Sequence, residues 1–163
     1  MIKSSEIKKI VNDYSDVKIG VLGSHSALEV MDGAKDENFE TTVFCQKGRE
    51  GPYQRFNRIA DQIVVLDKFK DMASAKNQKM LRDSNTIVVP HRSLTVYLGY
   101  KTIEEKFKVP IFGNRKLFQA EERTAKKGQY YLLEKARIKY PKLFKDPKRI
   151  NKPSIVSFND LQA

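Results

Sequence analysis

The sequence predicts an α/β fold: a doubly wound parallel sheet of about five strands in residues 1–115, followed by a basic helical segment. Three observations point there. Short runs rich in Val, Ile, Phe and Thr recur along the first two thirds of the chain, helix-favouring stretches separate several of them, and polar side chains cluster where those runs stop. Strands alternating with helices at this spacing form parallel sheets covered on both faces.

Taken in order, Ser4 and Ser5 can cap a helix whose apolar residues Ile7, Ile10, Val11 and Tyr14 fall at three-and-four spacing. A first strand, Val17 to Leu22, is closed by Gly23, and Ala27 to Lys35 reads as the helix behind it. Further strands are expected at Thr41–Cys45, Gln62–Leu66, Thr86–Val89 and, more briefly, Val109–Phe112. Met72 to Asp83 has no glycine or proline and predicts a helix. From Arg115 the texture becomes charged and helix-favouring, with Leu132, Leu133, Ala136 and Tyr140 as an apolar face that Pro141 ends. Ser154 to Phe158 then reads as the start of a new strand. The expected domains are therefore 1–115 and 116–163.

Composition narrows the function classes. With 163 residues and 40% hydrophobic residues the chain can bury a core. A single cysteine, Cys45, supports neither a disulfide nor a Cys-rich zinc site, and as the end of an apolar run it is expected in the core rather than as a nucleophile. No apolar stretch approaches a bilayer span and the start is polar, so a cytoplasmic address with no membrane contact is expected. The net charge of +11 suggests nucleic acid, but its distribution is uneven. Residues 1–100 hold 15 basic and 13 acidic groups, and residues 101–163 hold 16 and 7. The excess lies in the last third, without an RNA-recognition aromatic motif, and an RNA-binding reading ranks last.

In an open parallel sheet, ligands bind beyond the carboxyl ends of the strands, where loops and helix amino-termini present N–H groups. Those ends read Gly23-Ser24-His25-Ser26, Lys47-Gly48-Arg49, Pro90-His91-Arg92-Ser93 and Gly113-Asn114-Arg115. Both histidines of the chain, His25 and His91, follow a strand directly. Imidazole can hydrogen-bond a ribose hydroxyl, a base edge or a phosphate. Ser24 and Ser26 stand where a helix begins and, with Arg115, are expected on a phosphate rim; Lys47, Arg49 and Arg92 would add positive charge to it. No metal-ligand spacing, nucleophile triad or carboxylate pair marks catalytic machinery, so catalytic residues stay unassigned and no metal site is expected.

Read together, Leu22-Gly23-Ser24-His25-Ser26-Ala27-Leu28, Lys47-Gly48-Arg49 with Pro52-Tyr53-Gln54-Arg55-Phe56, Ile87-Val88-Val89-Pro90-His91-Arg92-Ser93 and Val109-Pro110-Ile111-Phe112-Gly113-Asn114-Arg115 resemble the archaeal formate-dependent AICAR ligase, or FAICAR synthetase, family. The resemblance implies a Rossmann-like pre-ATP-grasp domain that binds AICAR, then the start of an ATP-grasp module, in the amino-terminal part of a longer enzyme. It implies formylation of AICAR to FAICAR on the way to IMP, with formate and ATP as further substrates, Mg2+ as cofactor, and homo-oligomeric assembly. On the family pattern His25 and Ser93 contact AICAR. Ser157 stands where the family strand has a lysine, and Arg92 where relatives often have glycine. The resemblance leaves a non-catalytic phosphoribonucleotide-binding paralogue as the alternative.

Overall fold

The computed structural model describes residues 1–122, 125, 128–142, 144 and 146–154. It divides into two compact units, Met1–Lys116 and Leu117–Ala163.

In the first unit four strands, β1 (Lys18–Leu22), β2 (Glu40–Gln46), β3 (Gln62–Leu66) and β4 (Thr86–Val88), form one parallel sheet in the order β3-β2-β1-β4. Helices α1 (Ser4–Asn12), α2 (Ala27–Asp36), α3 (Gly51–Arg55), α4 (Ala75–Asp83), α5 (Arg92–Leu98) and α6 (Tyr100–Glu105) complete it. The chain builds outward from β1 through β2 to β3, then returns to add β4 on the other side of β1. Strand order therefore reverses between β1 and β4, which is where ligands enter folds of this kind.

Strand geometry explains how both sheet faces are covered. Side chains alternate along a strand, so Val21, Val43 and Cys45 share one face and Leu22 and Phe44 the other. The first face packs with Ala27 and Met31 of α2, Tyr53 of α3, and Ile59 and Ala60 into one buried cluster. On the second, Leu22 and Phe44 are fully buried too. Five consecutive buried residues in β2, Thr41 to Cys45, mark a strand enclosed from both sides.

Three expectations need correction. The fifth strand is a single bridge, Ile111 beside Val88, made by Val88 N–H to Pro110 O and Phe112 N–H to Val88 O, both 2.9 Å. Pro110 has no N–H to extend the ladder, and Gly113 turns the chain at φ 88°. The helix expected from Met72 starts at Ala75: Phe69–Ala73 is a 3-10 turn, and extended Ser74 caps α4 by accepting from Asn77 N–H at 3.3 Å. The long helix expected from Arg115 is a 3-10 turn, Arg115–Glu121, and a short α7 (Gln129–Lys135). Beyond α7, Arg137 adopts φ 57°, which ends the helix before Pro141, and Tyr140 folds back to pack at a tilt against Tyr130 with ring centroids 4.9 Å apart. The strand expected at Ser154–Phe158, with Ser157, lies outside the described residues apart from Ser154. Among the described residues no helix is long and apolar enough to cross a membrane.

Candidate functional site

The carboxyl ends of β1 and β4 meet at the reversal of strand order. Gly23 leaves β1 so close to β2 that a Cβ there would stand 2.9 Å from Cys45 Cβ and 3.0 Å from Tyr53 Cε2. Only glycine allows that approach. The chain then turns tightly, with Ser24 N–H bonded to Leu22 O at 2.8 Å and Ala27 N–H to Ser24 O at 3.1 Å. His25, at the crest, holds φ 47°, a left-handed conformation that disfavours a side chain, and its ring is exposed.

His25 Nδ1 and Ser26 Oγ lie 2.6 Å apart. Ser26 occupies the N-cap of α2 but makes no side-chain cap bond. Its side-chain oxygen pairs with the imidazole instead, and among the described residues no side chain accepts from the first-turn N–H groups of α2. An uncapped amino-terminus carries the positive end of the helix dipole.

From the other side, His91 caps α5. Its Nδ1 accepts from Ser93 N–H at 3.3 Å, and its Nε2 lies 2.8 Å from Leu22 O at the end of β1. A carbonyl only accepts, so Nε2 carries the proton and the ring is the neutral Nε2–H tautomer. Burial lowers the His91 pKa below the ordinary 6.5; the Leu22 carbonyl opposes this and nearby His25 adds to it. The two imidazoles stack 6.1 Å apart at 20°. Ser93, on the first turn of α5, is only 7% exposed, and its hydroxyl makes no hydrogen bond to another described group.

The structure thus brings Ser24, His25, Ser26, His91 and Ser93 to one place. It gives Arg115 a different post. Its Nη1 donates to Ile103 O (2.5 Å) and Phe107 O (2.7 Å), and its Nη2 to Val109 O (2.6 Å). Burial lowers its pKa to about 10, so it stays charged at neutral pH and ties the end of α6 to the segment leading to Ile111. In place of the phosphate rim expected for it, the guanidinium meets three carbonyls inside the fold. Arg49 lies 5.5 Å over the Phe69 ring, which packs on Tyr97 of α5 at 4.4 Å. Sequence reading missed that layered contact because its members come from three separate segments. Cys45 is fully buried, and burial raises its thiol pKa, as suits a core residue. Among the described residues no three His, Cys, Asp or Glu side chains gather as metal ligands.

A family model described as "Protein of unknown function (DUF1246)" matches residues 19–144. The chain belongs to that family. It is also similar to the 5-formaminoimidazole-4-carboxamide-1-(beta)-D-ribofuranosyl 5'-monophosphate synthetases of two organisms. With that of Methanopyrus kandleri it shares 42% identity over 160 residues, covering 97% of this chain and 44% of the relative. With that of Methanothermobacter thermautotrophicus the identity is 42% over 160 residues, covering 96% and 43%. Among solved structures, an IMP biosynthesis protein PurP from Thermococcus kodakaraensis aligns with a TM-score of 0.61 and 28% identity over 82% of this chain and 41% of the other. The two synthetases carry the name that the strand-end motifs point to. The chain spans less than half the length of the curated relatives it matches.

Proposed function

We propose that the Met1–Lys116 unit binds AICAR at the β1–β4 switch point, as the ribonucleotide-binding part of an ATP- and formate-dependent ligase that converts AICAR to FAICAR in IMP biosynthesis. The observation that carries this reading is the convergence of His25 and Ser93, from opposite sides of the strand reversal, beside the uncapped amino-terminus of α2. The relatives' names support AICAR as the substrate, and the geometry supports this end of the sheet as its place.

Each group has a chemical task. The N–H groups of Leu28 and Glu29 in the first turn of α2, with the Ser24 and Ser26 hydroxyls, suit the dianionic 5'-phosphate. The exposed His25 ring, held by Ser26, reaches outward as a donor or acceptor for the ribose or the imidazole carboxamide. The Ser93 hydroxyl, with no hydrogen-bond partner among the described residues, is available to bind the ligand.

In such a ligase ATP, with Mg2+, supplies the activation of formate that the amine of AICAR then intercepts. The described residues hold no acidic cluster fit for a magnesium ion, and no step of that activation is assigned to them. Their work is to bind and orient the nucleotide.

Titration calorimetry with AICAR tests the reading. Binding is expected for the unsubstituted chain and is weakened in His25→Ala and in Ser93→Ala. Equal affinity in all three proteins would remove both residues from the site.

A further inference from the structure

We propose that His91 is a positioning residue for the nucleotide site: as the neutral Nε2–H tautomer it ties Leu22 at the end of β1 to Ser93 on α5, and it backs the His25 ring. The proposal rests on the AICAR reading for its ligand, while its geometry stands separately.

The geometry is specific. Leu22 and His91 are 69 residues apart in sequence, and their 2.8 Å bond joins the two strands at the point where strand order reverses. On the same ring, Nδ1 accepts from the N–H of Ser93, the residue proposed to contact the nucleotide. Neither nitrogen is left for a ligand, so His91 works through Ser93 and His25 rather than by touching the nucleotide. The stacked His25 sits on a strained left-handed backbone with an exposed side chain, and the His91 ring is a flat support behind it. Protonating His91 would place a second N–H against Ser93 N–H and undo the arrangement. Among the described residues, the titratable groups that act on it are His25 on the turn after β1 and Glu29 on α2.

Asparagine separates these roles. Its side-chain oxygen caps helices well, so His91→Asn keeps an acceptor for Ser93 N–H but loses the bond to Leu22 and the surface behind His25. His91→Phe keeps a ring and loses both hydrogen bonds. In the full chain, His91→Asn is expected to melt close to the unsubstituted protein yet bind AICAR about tenfold more weakly, the loss of roughly one well-placed hydrogen bond's worth of orientation. The His25 ring-proton resonances should move in the same variant, and nitrogen shifts of His91 in the unsubstituted chain should report the Nε2–H tautomer.

A His91→Asn protein that binds AICAR as tightly as the unsubstituted chain would reduce His91 to an ordinary helix cap and overturn the proposal. So would an Nδ1–H or protonated ring at neutral pH, or unmoved His25 resonances. If the unsubstituted chain does not bind AICAR, the ligand reading fails, and the two resonance measurements still decide whether His91 holds His25 and Ser93 as described.

Discussion

His25 and His91, the only histidines of the chain, stack with ring centroids 6.1 Å apart across the reversal of strand order, and they do opposite work. His25 is exposed on a left-handed backbone; His91 has both nitrogens engaged by main-chain groups. The backbone term can be isolated. His25→Gly and His25→Ala both lack the imidazole, but only glycine is at ease at φ 47°, so the glycine variant should be more stable by about 1 kcal/mol in chemical denaturation. Both should lose AICAR affinity by calorimetry. A glycine variant with full affinity would show that the ring takes no part in binding.

Gly23 sets the approach of β1 to its neighbours. Gly23→Ala forces a methyl group to within 2.9 Å of Cys45 Cβ and 3.1 Å of its Cα, a contact with backbone that cannot swing away. Destabilisation of about 1–3 kcal/mol is expected from thermal or urea unfolding. AICAR binding should weaken too, because the same turn carries His25. Unchanged stability would mean that the β1–β2 spacing relaxes freely.

For Arg115, stability and binding should separate. A lysine ammonium cannot span Ile103 O, Phe107 O and Val109 O in one plane, so Arg115→Lys should lower stability by about 2 kcal/mol with AICAR affinity unchanged in the folded protein. Lost affinity with intact stability would return the residue to the phosphate rim.

The pH dependence has a defined sign. Burial lowers the folded pKa of His91 below 6.5, so between that ordinary value and the folded one the unfolded chain binds more protons. The contribution of His91 is complete above the ordinary value and is lost as pH falls through the folded pKa. Urea unfolding at a series of pH values should show the unsubstituted chain losing stability toward acid more steeply than His91→Asn. Parallel curves would refute a buried neutral ring.

Sequence reading captured what local pattern encodes. The β-branched run Gln62–Leu66 became a strand with those limits, and the helix behind Gly23 begins at Ala27 as expected. Two of the failures share a cause. Val109–Phe112 has strand-forming composition, but Pro110 and the turn at Gly113 leave one bridge, and Met72 falls before the Ser74 cap that starts α4. In each case a hydrogen-bonding restriction overrode side-chain preference.

The sequence by itself determined that both histidines follow strands, that the intervening segments wind helices around a parallel sheet, and that the strand-end motifs match one family. Only the tertiary structure decided which of those polar groups face outward. His25 and His91, or Ser26 and Arg115, have the same chemistry in any order of letters. What distinguishes them is whether a carbonyl lies within hydrogen-bond reach: Leu22 O meets His91 from 69 residues away, and three carbonyls surround Arg115. A hydrogen bond depends on distance and direction in space, so a donor's partner, and with it the choice between binding a ligand and holding the fold, is set when β4 returns beside β1.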